Sequence, residues 1–250
     1  LLKVVATAVG DHTALNAELT NIDATITAIV AGGGGAPGQN FTLTVNAENA
    51  AAHIFEAPIF TSTSTGTQIQ TLTSADKLTG TAATDDVLNA ILSNTEPAGT
   101  KPTMSGVEKV KLTAINPLVP AGSTFDAANS TGITEVGSVD SSADLTVRNL
   151  AANATVVVKN TAAGFSTQAQ FANAVVAGAS DVATIKVDGV GRGALLGNTQ
   201  VLNVRGETAG SFETLNIEST GGASRFASIG SDSTVGVGTA PGAATSLVKT

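Results

Sequence analysis

The 250-residue chain carries 20 acidic and 12 basic side chains, for a net charge of −8, and it contains no cysteine, tryptophan or tyrosine. Nucleic acids and anionic membranes attract clusters of Lys and Arg, so this balance disfavours both as partners, and no apolar run of 18 residues or more predicts a membrane span. The abundance of small, β-branched and hydroxyl side chains favours thin β-sheets with tight turns.

Residues 1–31 are predicted to be helical. Their apolar positions step by four and three residues, which is the spacing of one helical face: Leu15, Leu19, Ile22, Ile26 and Ile29. The glycine-rich segment 32–40 has the composition of a linker. We therefore expect the end of a helical domain followed by a linker.

From residue 41 to 250 the pattern changes to short segments in which apolar residues alternate with others. They share an apolar–any–apolar centre and end in turn residues: FTLTV, VEKVKLTA, GITEVGSV, ADLTVRNL, ATVVVKN, VATIKVDGV, TQVLNVRG and FETLNIES. Their irregular spacing predicts a mainly β, solenoid-like domain with insertions of varying size, which we expect to continue past the end of the chain. A β-sandwich is the alternative, but only Asp188-Gly189 supplies a hairpin signal for it.

Two segments interrupt this pattern. In TDDVLNAILSN, the residues Val87, Ala90 and Ile91 have helical spacing. The segment STQAQFANAVVAGA, residues 166–179, is predicted to be a short helix or a surface loop. Neither segment is long enough to form a core by itself.

Three carboxylates surround a Gly-Thr turn in DKLTGTAATDDVLNA, residues 76–90. Calcium takes six to eight oxygen ligands on a tightly turning backbone, so Asp76, Asp85 and Asp86 are candidate calcium ligands. The alternative is a turn in which Asp85 caps a helix that begins near Asp86, while Asp76 lies in solvent.

Asp140 and Asp144 form a second pair of nearby acids, with Arg148 four residues further on. We interpret this pair as a turn that holds a cation, because carbohydrate-cleaving sites commonly add aromatic sugar platforms and this chain has no Trp or Tyr. The only histidines, His12 and His53, are too few for a zinc site and are predicted to be surface residues. We predict no catalytic residue and no organic cofactor.

Several of these segments resemble the surface-layer proteins of Gram-negative bacteria that leave the cell by type I export and are related to the RTX proteins. The similarity is carried by TITAIVAGGGGAPGQNFTLTV, by IQTLTSADKLTGTAATDDVLNA with the following GVEKVKLTA, and by GVGRGALLGNTQVLNVRGETAGSFETLNIES. The resemblance implies a right-handed parallel β-solenoid, calcium-dependent assembly into a lattice, and a location on the cell surface after secretion.

The sequence therefore favours a structural protein without catalytic activity: a self-assembling subunit of a surface layer or extracellular fibre. Its expected partners are copies of itself, Ca²⁺, and cell-surface polysaccharide bound through regions outside this chain. The alternatives are the stalk of a large secreted adhesin and, third, a polysaccharide-acting β-helix enzyme that uses Asp140 and Asp144.

Overall fold

The computed structural model describes residues 40–93, 96, 98–115, 122–192 and 200–231. This part of the chain is mainly β, and its helical content is limited to two short 3-10 segments, Ala127–Asn129 and Asn173–Val176. The helix expected at 1–31 lies outside the described residues, as does the linker except for Asn40, which already begins the first strand.

The largest sheet has eight strands, all parallel to their neighbours. We call it the large sheet. In spatial order its strands are β1 (Asn40–Thr42), β3 (Ile54–Ala57), β7 (Val87–Leu92), β9 (Lys109–Ala114), β12 (Glu135–Val139), β14 (Thr155–Lys159), β16 (Val182–Asp188) and β18 (Thr214–Ser219).

Two smaller parallel sheets and one antiparallel hairpin complete the described strands. The five-stranded sheet contains β10 (Ser123–Asp126), β13 (Leu145–Leu150), β15 (Thr167–Phe171), β17 (Val201–Gly206) and β19 (Ser228–Gly230). The four-stranded sheet contains β11 (Ser130–Thr131), β8 (Thr103–Ser105), β6 (Lys77–Thr79) and β2 (Asn49–Ala51). The hairpin pairs β4 (Ile59–Thr61) with β5 (Gln68–Gln70).

In-register pairing of the strands places similar side chains above one another along the large sheet. One buried column has one apolar residue from each of six strands: Phe55, Leu88, Val110, Val136, Val156 and Ile185. Side chains alternate across a strand, so these residues all face the interior while their neighbours face outward. The core is built in this way from aliphatic residues with few aromatic ones, as the composition predicts.

The alternating segments are confirmed as strands, from β1 near FTLTV to β18 in FETLNIES. The helical interpretation of residues 87–91 is wrong, because they form β7 with alternating burial. Helical spacing and strand alternation both accommodate Val87 and Ile91, and parallel pairing with β3 and β9 decides between them. Residues 167–171 are likewise a strand, β15, followed by a 3-10 turn.

The same backbone conformation recurs at the ends of three neighbouring strands, β12, β14 and β16. Asp140, Asn160 and Gly189 follow the in-register residues Val139, Lys159 and Asp188, and their φ angles are 54°, 55° and 61°. Asn, Asp and Gly tolerate this left-handed conformation better than other residues. Asp188-Gly189 is therefore a corner between sheets and not the hairpin turn of a β-sandwich, whose sheets would also be antiparallel.

Among the described residues, the structure contains no helix of the length and apolarity needed to cross a membrane.

Candidate functional site

Asp76 lies at the entry to β6, and its side chain is fully buried. Its two carboxylate oxygens accept hydrogen bonds from the backbone N–H groups of Glu48, at 2.8 Å, and Thr73, at 2.7 Å. Glu48 precedes β2, the strand that pairs with β6, so the carboxylate joins two neighbouring turns of the chain. The alternative interpretation, in which Asp76 is a solvated turn residue, is therefore wrong.

The environment of Asp76 favours its protonated form. Burial raises the pKa of Asp76 to about 6, and the nearby Glu48 carboxylate adds to this, although the two backbone N–H groups act in the opposite direction. Glu48 Oε2 is itself buried and has no hydrogen-bond partner within the described residues. A proton shared between the two carboxylates, or a cation bound by both, would satisfy this oxygen.

We expect Asp76 to make the protein less stable as the pH rises from 4 to 6. Its ordinary pKa is 3.8, so on titration the unfolded chain releases this proton before the folded one does. The stabilising contribution is therefore complete below pH 3.8 and is lost as the pH passes the folded pKa of about 6. Urea unfolding in chelator-containing buffer should show the wild type losing on the order of 2 kcal/mol relative to Asp76→Asn between pH 4 and 7.

Asp86→Asn supplies the opposite control, because the pKa of Asp86 is lowered and not raised. Its stabilising contribution is present above the unfolded pKa and is lost as the pH falls. A difference between wild type and Asp76→Asn that stays constant from pH 4 to 7 would contradict the assignment.

Asp86 is the second fully buried carboxylate of the segment DKLTGTAATDDVLNA. It accepts hydrogen bonds from the backbone N–H and Oγ1 of Thr81, and its Oδ1 lies 2.5 Å from Nδ1 of His53. Burial acts to raise the pKa of Asp86, but the hydrogen bonds from His53 and Thr81 outweigh burial and lower it. His53 is thus a half-buried partner of Asp86, whereas the sequence predicted a free surface residue.

The structure separates the remaining predicted ligands. Asp85 is exposed, and its Oδ1 lies 3.9 Å from His53 Nε2. It caps no helix, since β7 begins at Val87. Asp140 is exposed and accepts a hydrogen bond from Asn160, while Asp144 accepts one from the backbone N–H of Ser166 at 2.7 Å.

Carboxylates of this chain repeatedly bind backbone N–H groups of a neighbouring turn. Besides Asp76 and Asp144, Glu108 accepts from Asp86 N at 2.9 Å, Glu213 from Asp181 N at 2.7 Å, and Asp188 from Gly222 N at 2.7 Å. Such charge-assisted bonds are stronger than neutral ones. A carboxylate that is a candidate metal ligand by its sequence, such as Asp76 or Asp144, therefore also connects successive turns of the chain.

One ion pair, between the buried Asp126 and the partly exposed Arg148, was not anticipated from the sequence. Asp126 accepts hydrogen bonds from Arg148 Nε at 3.1 Å and Asn149 Nδ2 at 2.8 Å, and it caps the 3-10 segment at Ala128. Burial acts to raise the pKa of Asp126, but the hydrogen bonds from Asn149 and Ala128 and the charge of Arg148 lower it overall. Register explains the pairing, because β10 places Asp126 beside Arg148 of β13. No spacing rule within the sequence would have revealed this cross-strand neighbour.

A shallow groove of about 290 Å³ lies on the outward face of the large sheet. Its polar lining includes Glu56, Asn89, Lys111 and Asp140, and Glu56 accepts a hydrogen bond from Asn89 Nδ2 at 2.8 Å. The groove therefore offers acceptors at both carboxylates and one ammonium donor. Asp144 does not line it, so the two acids that would act together in a polysaccharide-cleaving site face different surroundings.

Within the described ranges, no group of three or more His, Cys, Asp or Glu side chains is arranged to hold a metal ion. The His53 ring lies near two carboxylates, with Nε2 3.9 Å from Asp85 Oδ1 and Nδ1 2.5 Å from Asp86 Oδ1. Comparison with known proteins identifies no relative: no family model, no curated protein and no solved structure matches this chain.

Proposed function

We propose that this chain is a structural, self-assembling subunit of a bacterial surface layer or extracellular fibre, secreted and located at the cell surface. The observation that supports it best is the eight-stranded parallel sheet, in which strands stack in register from Asn40 to Ser219. A stack of this kind is extended and regular, and each turn contacts mainly its neighbours. Regular faces of this length suit the repeated lateral contacts of a lattice or fibre.

We also infer that the strands wind as a right-handed β-solenoid. Consecutive strands β6 and β7 enter different sheets, and the next strands β8 and β9 pair with them in parallel. The same succession repeats when β11 pairs with β8 and β12 with β9. Each of these turns thus adds one strand to the four-stranded sheet and one to the large sheet, and the later turns add one to the five-stranded sheet and one to the large sheet, as expected of a coil.

Charge on the outward face of the large sheet supports the same proposal. Lys159 Nζ lies 3.2 Å from Asp188 on the adjacent strand, and the register also places Lys109 beside Glu135 and Lys186 beside Glu218. Opposite charges on neighbouring strands stabilise the register, and like charges there would oppose it. Charged pairs of this kind recur on the face from β9 to β18, which suits a subunit that packs against solvated copies.

Calcium is the proposed partner in assembly. Among the described residues, the buried Glu48 Oε2 beside Asp76 is a carboxylate oxygen without a hydrogen-bond partner, which makes it a well-placed acceptor for a cation at the entry to the β-region. Exposed carboxylates such as Asp140 are available for cations between copies, which would otherwise repel because the net charge is −8. Oxygen ligands of this type are those that calcium prefers.

Electron microscopy of the purified chain with millimolar calcium, and again after excess EGTA, tests the proposal. We expect ordered sheets or fibres with calcium and dispersed particles without it. Calcium should also raise the thermal unfolding midpoint of the wild type by several degrees, and should do so less in Asp76→Asn.

Glu213→Gln is the matched control, because Glu213 binds the backbone N–H of Asp181 and is not a candidate calcium ligand. A chain that sediments as a monomer at high concentration with and without calcium would overturn the assembly proposal. If that monomer instead bound cells, the adhesin-stalk alternative would be favoured. Assembly that persists in EGTA would support self-association and would refute its dependence on calcium.

A further inference from the structure

The sequence around His53 does not predict its contact with Asp86. His53 lies directly before β3, and Asp86 lies directly before β7, the neighbouring strand in the large sheet. The two side chains therefore meet across adjacent turns, with Nδ1 of His53 2.5 Å from Asp86 Oδ1. The His53 side chain is 29% exposed and that of Asp86 is 0% exposed, so one edge of the imidazole faces the interior and the other reaches solvent.

Asp86 fixes the orientation of this ring. The carboxylate is held by the backbone N–H and Oγ1 of Thr81, and its own backbone N–H donates to Glu108. An ionised carboxylate only accepts hydrogen bonds, so Nδ1 of His53 must carry the proton that lies between them. In the neutral ring the lone pair is then on Nε2, which is the solvent side.

Oδ1 of Asp85 lies 3.9 Å from Nε2. This separation is too long for a hydrogen bond. It is close to the separation of two atoms that bind one metal ion: with metal–ligand distances near 2.1 Å, the two ligands lie about 3.4 Å apart at a tetrahedral angle and at most about 4.2 Å apart. Asp85 is 59% exposed, so a small side-chain rotation can close the difference.

We propose that His53 Nε2 and Asp85 form a surface site for a divalent transition-metal ion such as Zn²⁺, with water as the remaining ligands. An imidazole nitrogen beside a carboxylate favours zinc, cobalt or nickel, whereas calcium favours oxygen ligands alone. Asp86 acts as the outer carboxylate that orients a metal-binding histidine through its other nitrogen. This proposal is independent of calcium-dependent assembly, and it gives Asp85 and Asp86 different roles.

Isothermal titration of the full chain with Zn²⁺, after removal of metal, tests this site. We expect one weak binding event per chain that Asp85→Ala and His53→Ala each weaken at least 10-fold. Asp86→Asn removes no ligand but should weaken binding by about 10-fold, because the ring loses its fixed orientation. With Co²⁺ as the probe, the visible absorption band of a nitrogen-bound ion should appear in the wild type and disappear in His53→Ala.

Glu218→Ala removes an exposed carboxylate from β18, which is separated from β3 by five other strands of the large sheet, so this control should bind zinc like the wild type. Asp85 is exposed, so Asp85→Ala is expected to fold normally, and its circular dichroism and unfolding midpoint verify this. Zinc binding that is unchanged in correctly folded Asp85→Ala, or absent from the wild type at millimolar zinc, would overturn the proposal. Calcium that displaces Co²⁺ from the site at comparable concentration would also overturn it.

Discussion

Gly80→Ala is expected to lower the free energy of unfolding by about 3 kcal/mol or more. An added Cβ at Gly80 would lie 1.6 Å from the carbonyl oxygen of Gly106 and 2.5 Å from Oδ2 of Asp86. The first is backbone of the neighbouring turn, and the second belongs to a buried carboxylate held by Thr81. Neither oxygen atom can move away unless the two turns separate. The hydrogen bond from Gly80 N–H to Ser105 O, at 2.8 Å, would also be strained.

The clash arises from a column of glycines at one corner. Gly80, Gly106 and Gly132 follow the in-register ends of β6, β8 and β11, so the three turns approach closely where no side chain intervenes. Glycine is favoured at such positions because it has no Cβ to prevent the close approach of two backbones.

Gly66→Ala is the matched control for Gly80→Ala. Gly66 has a φ of 69° but nothing within 4 Å of an added Cβ, so only conformational strain of about 1 kcal/mol is expected. Urea unfolding of the wild type and both variants measures the two effects. Equal losses in the two variants would show that close packing at Gly80 is not the cause.

Asp76→Ala is expected to cost about 2–4 kcal/mol at pH 5 in chelator-containing buffer. The change leaves the backbone N–H groups of Glu48 and Thr73 without their acceptor, in a place where burial keeps water out. At pH 5 the carboxyl is mostly protonated, because its pKa is about 6, so little charge burial is relieved by the substitution. At pH 7 the loss should be smaller, because removing an ionised buried group offsets part of it.

Asp85→Ala, on the exposed side of the same loop, should change stability by less than about 0.5 kcal/mol and is the control. Asp76→Asn should fall between wild type and Asp76→Ala, since its amide keeps one of two acceptor oxygens. An Asp76→Ala protein within about 0.5 kcal/mol of wild type at pH 5 would refute the bridging role of this carboxylate.

Much of the β structure was predictable from local alternation. Segments such as VEKVKLTA and FETLNIES place apolar side chains on one face whatever the partner strand, so β9 and β18 were identified correctly. The shorter strands β2, β6, β8 and β11 were not, because two or three residues are too few to show a period. Pairing with neighbours on adjacent turns, and not local preference, makes them strands.

The candidate site was predictable only in part. The sequence singled out the acids of DKLTGTAATDDVLNA, and two of them, Asp76 and Asp86, are buried at turn corners. Their partners Glu48, His53 and Glu108 are distant in the sequence and meet them only because strands stack in register. The role of His53 could not be found from spacing, since the loops between stacked residues differ in length.

The sequence by itself determined a thin, acidic, β-rich chain with aliphatic core columns and polar turns, because composition and alternation depend only on neighbouring residues. Tertiary structure decided that 87–92 is a strand, that the sheets are parallel, and that Asp76 and Asp86 bind backbone and histidine inside the protein while Asp85 faces solvent. The physical reason is register. Which carboxylate meets which amide or ring depends on how successive turns align, and that alignment is set by contacts between residues far apart in the chain.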